Sequence, residues 1–369
     1  MRIGIPRKEL LEAVNKVKTV VSPKSALPIL SHILAETGES SVRLTATDLK
    51  VSIECTVDCS VQDPGSITVS SHRLAAILGE LPDKDLDIEL LENSVISVKC
   101  GRIQTRLFSM SPEEFPPVRS FEGVEPVVMD QALMKNLFGK TSFAICTDQA
   151  RYNLTGLLLE IVGGKLTAVA TDGRRMSLSI EEDGIPDAVD VKVIIPGKMI
   201  GELERLLGDD DKVSVLIDES QAAFSFDTIR LVTALIEGTF PNYEMVVPKK
   251  HDKEAVIDTG AFMEAIRRTR TMTNEKFKSV RFSLASGTMT LRVVTPEVGD
   301  YEEEMPVEYD GEEIEVAFNP DFVADVLRRI DTDKVCFVLK DGMSPGMIMP
   351  FSGSAPDNRY TNVIMPIRI

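Results

Sequence analysis

VATDGRRMSL, residues 169 to 178, closes a hydrophobic run with Ala-Thr-Asp, and TATDLKVSIE, residues 45 to 54, closes another with the same three residues. From Thr47 to Thr171 is 124 residues, and another 124 lands on Thr295, inside the alternating run MTLRVVTP at 289 to 296. Alternation at period two marks a half-buried strand; Thr suits the strand, and Asp suits the turn because its carboxylate hydrogen-bonds the backbone. Each stretch reads as a strand running into a hairpin turn, and the equal spacing reads as one unit written three times.

The flanking sequence repeats as well. Apolar residues at helical spacing precede each strand group: Leu10, Leu11, Val14 and Val17, then Leu133, Met134, Leu137 and Phe138, then Phe262, Ala265, Ile266 and Thr269. A second helical pattern follows a short strand in every unit, at 71–80, 196–207 and 319–330, with Ser71, Pro196 and Asn319 at its start. The expected fold class is α+β, three tandem repeats each of two helices on antiparallel sheets, with strands free to pair across unit borders. Such an arrangement curves, sheets outside and helices inside, and the pattern leaves open whether the arc closes. A length of 369 residues fits three domains at roughly 100 to 200 residues each.

Hydrophobic residues at 43% and charged residues at 27% are typical of a folded globular chain. The start, MRIGIPRKELLEAV, lacks the apolar run of a signal peptide, and no stretch of about 18 apolar residues occurs, so a cytoplasmic protein is expected. Cys55, Cys59, Cys100, Cys146 and Cys336 are odd in number and form no Cys-x-x-Cys, which points to reduced, mostly buried thiols.

A net charge of −17 argues against a nucleic-acid partner only if it is evenly spread. The six helix windows, 7–18, 71–80, 129–140, 196–207, 259–270 and 319–330, hold 14 Lys and Arg against 9 Asp and Glu, while the remainder holds 27 against 49. Helices gathered on one surface would give an acidic protein a mildly basic lining that includes Arg7, Lys16, Lys18, Arg73, Lys135, Lys198, Arg267, Arg268 and Arg270. For a single helix this is an ordinary solvated face. Six helices with a joint excess of five cations, against so acidic a background, point to a polyanion, held weakly and without sequence preference. With no Trp and five Tyr, stacking on single strands is a poor explanation.

Catalytic signatures are absent: no phosphate-binding Gly-rich loop, no dinucleotide fingerprint, no zinc-protease helix and no nucleophile elbow. His32, His72 and His251 are too scattered for a metal motif. The acidic runs Asp209–Asp211 and Glu302–Glu304 fit turn and partner-pairing roles better than a cation site. Neither an enzyme nor a cofactor is expected.

The stretches ALPIL (26–30), LTATDL (44–49), ATDGRRMS (170–177), FPNYEMVVPK (240–249), TNEKFKSVR (273–281) and VIMPIRI (363–369), in this order along the whole chain, resemble the β subunit of bacterial DNA polymerase III, the replicative sliding clamp. The resemblance implies a head-to-tail homodimer of three-domain chains, with domains at 1–121, 122–248 and 249–369, closing a ring around double-stranded DNA. It implies a processivity factor with no metal, partnered by the polymerase III catalytic subunit, the clamp loader, and clamp-binding repair polymerases and ligase-type proteins.

By the same resemblance, a peptide pocket comprises Leu154, Thr171, Gly173, Arg174, Arg175, Met176, Pro241, Met245, Val246, Met343, Val363, Met365, Pro366, Ile367 and Arg368. DNA would meet Lys24, Arg73, Arg151, Tyr152 and Lys198. The subunit border would join Arg102, Gln104 and Leu107 to Met272, Glu302, Glu303 and Glu304. Three positions depart from the family pattern: Arg174 stands where His is common, Asn153 where an aromatic is frequent, and Pro345 where a small hydroxyl residue is often found. The rival reading is a peptide-binding scaffold that never encloses DNA, with an uncharacterised hydrolase third.

Overall fold

The computed structural model describes residues 1–21, 27–186, 189–248 and 253–368. Lys24 and His251 lie outside the described residues. Six α-helices and twenty-six strands are present among those described: α1 Arg7–Val17, α2 Ser71–Glu80, α3 Gln131–Thr141, α4 Gly197–Leu206, α5 Thr259–Thr271 and α6 Pro320–Leu327. Each helix lies in one of the six sequence windows, α3 and α5 running one residue past it at Thr141 and Thr271. Their apolar spacing explains why: α1 buries Leu10, Ala13, Val14 and Val17, one face of a helix of 3.6 residues per turn. Side-chain caps start α5, where Asp258 accepts from the Ala261 N–H, and α6, where Asn319 accepts from the Asp321 N–H.

The chain divides into two compact units. The first takes residues 1–132 and 201–235. Its five-stranded sheet runs Ser60–Asp63, Arg2–Pro6, Asp85–Leu91, Val95–Cys100, Ile103–Phe108. Its eight-stranded sheet runs Val127–Asp130, Lys212–Ile217, Gln221–Phe226, Ile229–Ala234, Val51–Asp58, Ser41–Thr47, His32–Thr37, Ser66–Ser70. Within it, Ile229–Ala234 pairs antiparallel with Val51–Asp58, Leu231 opposite Ile53, so one repeat's sheet continues into the next. Helices α1 and α2 pack together, and α1 also packs on the strands Ser41–Thr47 and Val51–Asp58.

The second unit, 133–200 with 236–369, repeats this plan. Its nine-stranded sheet runs Val191–Pro196, Gly156–Val162, Lys165–Thr171, Arg175–Glu181, Tyr360–Ile364, Gly346–Ser352, Lys334–Leu339, Lys253–Asp258, with Ala355–Pro356 beside Gly346–Ser352. Here Arg175–Glu181 pairs with Tyr360–Ile364, again joining neighbouring repeats. The close approach of Gly156 requires glycine, since a Cβ there would lie 2.5 Å from the Ile195 carbonyl oxygen. A four-stranded sheet, Gly299–Pro306, Thr288–Thr295, Val280–Ala285, Ile314–Phe318, completes the unit. Between this sheet, α5 and α6 lies a core around Phe262, Phe282, Phe318 and Phe337, whose neighbouring rings stand 5.8 to 6.3 Å apart. Each such ring pair contributes about 0.5 to 1.5 kcal/mol beyond its buried area.

The three repeated threonines each end a strand: Ser41–Thr47, Lys165–Thr171 and Thr288–Thr295. The first two turns are built alike. Thr47 Oγ1 donates to the Val51 carbonyl at 3.1 Å, and Thr171 Oγ1 to that of Arg175 at 2.7 Å. Asp48 Oδ1 accepts from the N–H groups of Lys50 and Val51, as Asp172 Oδ1 does from Arg174 and Arg175. The next residue is left-handed in both, Leu49 at φ 76° and Gly173 at φ 80°. The third turn differs, with Glu297 left-handed and the Val298 N–H donating to the Thr295 carbonyl.

All five cysteines are free, four of them buried and Cys59 half-buried. Among the described residues no helix is long and apolar enough to cross a membrane, and no cluster of His, Cys, Asp and Glu could hold a metal ion.

Candidate functional site

The second unit holds an apolar cavity of about 210 Å³ beside the Ala-Thr-Asp turn at 170–172. The hairpin supplies Thr171, Gly173, Arg175 and Met176; the last strand supplies Val363 and the segment leaving it Met365; Leu154, Phe240, Pro241, Tyr243 and Val246 complete the wall. Met176 and Val363 face each other across the strand pair Arg175–Glu181 and Tyr360–Ile364. The pairing continues past the last strand residue, since the Met365 N–H donates to the Arg174 carbonyl at 2.8 Å. The strand itself stops at Ile364. Pro366 has no N–H to give, and the Ile367 N–H turns instead to the Ala317 carbonyl at 2.8 Å. Val363 and Ile364 are both buried, in the cluster beneath the cavity and in the phenylalanine core respectively, while Met365 is 41% exposed.

The cavity's one charged lining residue is neutralised. Arg175 Nε donates to Asp172 Oδ2 at 3.2 Å, Nη1 to Asp325 Oδ2 at 2.6 Å and Nη2 to the Phe143 carbonyl at 2.7 Å. Its guanidinium also lies over the rings of Phe322 and Phe143, 4.6 and 5.3 Å from their centroids. Arg175 thus braces the turn against α6 and leaves the cavity apolar. Tyr243 ties the opposite wall down: its hydroxyl donates to Glu160 Oε2 at 2.6 Å, and burial together with that carboxylate raises the phenol's pKa above its ordinary value.

Two wider depressions share Met365 with this cavity. One, of about 470 Å³, is lined by Arg174, Glu275, Lys276, Phe277, Lys278, Ser279, Asn319, Phe322, Pro366 and Ile367. The other, of about 550 Å³, is lined by Met245, Val246, Pro248, Lys340, Ser344 and Pro345. Of the expected pocket residues, Leu154, Thr171, Gly173, Arg175, Met176, Pro241, Val246, Val363 and Met365 meet in the apolar cavity, Arg174, Pro366 and Ile367 in the second depression, and Met245 in the third. Met343 and Arg368 line none of the three. Met343 stands 72% exposed in a turn closed by Asp341, whose Oδ1 accepts from the Met343 and Ser344 N–H groups. Sequence reading missed Phe240, Tyr243, Asn319, Phe322 and Lys340 as lining residues. The first two were signalled by FPNYEMVVPK, and the loop residues 275–279 by TNEKFKSVR.

The residues expected at DNA fall on exposed positions: Arg73 on α2, Lys198 on α4, and Arg151 with Tyr152 on the short helical turn Gln149–Leu154. Arg151 also donates from Nη1 to the Asp172 carbonyl and from Nε to Asp148 Oδ2. Several helix cations are already paired: Arg268 with Glu303, Arg270 with Asp321 and Arg205 with Glu202. Among the expected border residues, Arg102, Gln104 and Leu107 lie at or beside the edge strand Ile103–Phe108, and Glu302, Glu303 and Glu304 lie on the edge strand Gly299–Pro306.

Comparison with known proteins covers nearly the entire chain. Family models for the DNA polymerase III beta subunit match with the N-terminal domain at residues 1–119, the central domain at 128–242 and the C-terminal domain at 244–368. The chain belongs to the DNA polymerase III β subunit family. It is 34% identical to the beta sliding clamp of Pseudomonas aeruginosa, with 100% of both chains covered, and 31% identical to that of Chlamydia trachomatis, covering 100% of this chain and 87% of the relative. The crystal structure of the Pseudomonas aeruginosa DnaN sliding clamp bound to griselimycin matches with a TM-score of 0.94 at 34% identity over both whole chains. The Bacillus subtilis sliding clamp matches at 0.95 with 25% identity, covering 100% of this chain and 99% of that one. The protein is a DNA sliding clamp for DNA polymerase III, a non-catalytic processivity factor of three clamp domains whose partners are DNA and polymerase.

Proposed function

We propose that two copies of this chain close head to tail into a ring around double-stranded DNA. The observation that carries this reading is the strand count. Where one repeat meets the next, the sheets hold eight and nine strands; the two remaining sheets hold five and four, together nine, and each ends in an exposed edge. Ile103–Phe108 and Gly299–Pro306 have no further strand partner on their outer sides among the described residues. Exposed edges of this kind are templates for pairing with another chain. Arg102 and Arg106 near one edge complement Glu302, Glu303 and Glu304 on the other, while Leu107, Met272 and Phe108, itself 82% exposed, supply apolar surface. Sedimentation across a concentration series tests the reading: twice the chain mass of 40.6 kDa is expected at micromolar concentration, and a monomer throughout would contradict it.

In this reading the domains are 1–121, 122–248 and 249–369, Lys24, Arg73, Arg151, Tyr152 and Lys198 face the duplex, and the protein works in the cytoplasm. The groove around Met365 takes short peptides of the polymerase III catalytic subunit, the clamp loader, repair polymerases and ligase-type proteins. Its apolar cavity beside a wider half-polar depression supports that assignment, being concave and apolar with few polar groups.

A further inference from the structure

The charges left unpaired along the groove are unlike those of the chain as a whole. In a protein of net charge −17, the depressions flanking the apolar cavity carry Arg174, Lys276 and Lys340, all exposed and without an ion-pair partner among the described residues. The facing groups do not cancel them. Glu275 is the one unpaired carboxylate lining the same surface. Asp321 is engaged by Arg270 at 2.7 Å and Lys278 at 3.0 Å, and Asp172 and Asp325 hold Arg175. Asp341, the neighbour of Lys340, is occupied by the N–H groups of its own turn and by the Ser344 hydroxyl at 2.9 Å. Unpaired cations placed beside apolar anchoring surface fit a ligand that carries both features.

Resting on the reading of this groove as a peptide site, we propose that it selects peptides in which acidic side chains flank the apolar anchors, with Arg174 and Lys276 as the residues that read them. Arg174 stands where the cavity and the second depression meet, so a residue adjoining an anchor buried against Met365 passes within reach of its guanidinium. Lys276 faces the same depression from the loop at 275–279. Phe277, Phe322 and Ile367 line the same depression, apolar surface that suits the side chains of a peptide. Arg offers a planar fork to a carboxylate, and salt screens the attraction beyond about 8 Å, so the preference acts within the groove.

The test uses two synthetic peptides with identical apolar anchors, one flanked by Asp and Glu and the other by Asn and Gln, titrated against the full-length protein by fluorescence anisotropy. Exposed ion pairs of this type support a preference of about threefold to tenfold for the acidic peptide at about 50 mM salt, shrinking toward unity near 0.5 M. In the Arg174→Glu, Lys276→Glu protein the ratio of the two affinities falls to unity or reverses, whatever loss of affinity the two peptides share. Equal affinity of the two peptides for the unaltered protein at low salt overturns the proposal and leaves the peptide groove standing. Absence of binding by either peptide overturns the groove assignment and the proposal with it. Unchanged peptide discrimination in the doubly substituted protein, joined to weaker retention on nicked DNA, would assign these cations to DNA and also overturn the proposal.

Discussion

Asp48 and Asp172 hold the same turn by the same backbone hydrogen bonds, and Asp172 also grips Arg175 in the wall of a cavity. Their removal therefore separates structure from recognition. Either substitution by Ala removes acceptors for two N–H groups, and a loss of about 1 to 3 kcal/mol is expected in urea unfolding for each. Asp172→Ala should in addition weaken binding of an anchor peptide, whereas Asp48→Ala leaves it unchanged; equal peptide losses would contradict the assignment of the groove. Ile364 and Met365 make a second pair. Ile364 is 1% exposed in the phenylalanine core, so Ile364→Ala should cost about 2 to 5 kcal/mol of stability. Met365 is the side chain common to all three depressions, and Met365→Ala should weaken peptide binding roughly thirtyfold with little change in melting temperature. A marked stability loss with unchanged peptide affinity would make Met365 core.

The helices and hairpins were legible because each carries its own signal. Apolar spacing located all six helices, and Ala-Thr-Asp closing an alternating run located two of the turns. Pairing between distant strands carries no such signal: nothing in Val51–Asp58 names Ile229–Ala234 as its neighbour, since alternation fixes a face and not a partner. The braces of Arg175 were hidden for the same reason, Phe143 and Asp325 being distant in sequence and brought close only by α3 and α6. The phenylalanines of the core were visible as apolar positions, but their mutual packing was not. The α6 start yields a pH prediction. Burial works against the charge of Asp321, but Lys278 and Arg270 outweigh it and hold the carboxyl below its usual range. A folded pKa below the unfolded value, about 3.9, stabilises the fold above that pH, and the contribution is lost as pH falls through the folded value. The stability difference between the protein and Asp321→Asn should be full at neutral pH and shrink below about pH 4; a constant gap across that range would show that the carboxylate's charge contributes nothing.

At the scale of the whole molecule, a strongly acidic protein must hold DNA with few unpaired helix cations, because several of the basic residues on its helices are already committed to Glu and Asp. Tight phosphate contact is thus a poor basis for processivity, and in the proposed ring enclosure would supply what charge does not. Enclosure depends on the border. Replacing Leu107 and Met272 with Ala should yield folded monomers at low micromolar concentration, read by sedimentation alongside a melting curve, since Met272 also packs against the phenylalanine core. A dimer of undiminished stability would place the border elsewhere. The most direct measurement loads the protein on nicked circular DNA, washes with high salt, and then linearises the circle. Topological tethering predicts retention through the wash and release on cutting, and equal retention on circular and linear DNA would contradict it.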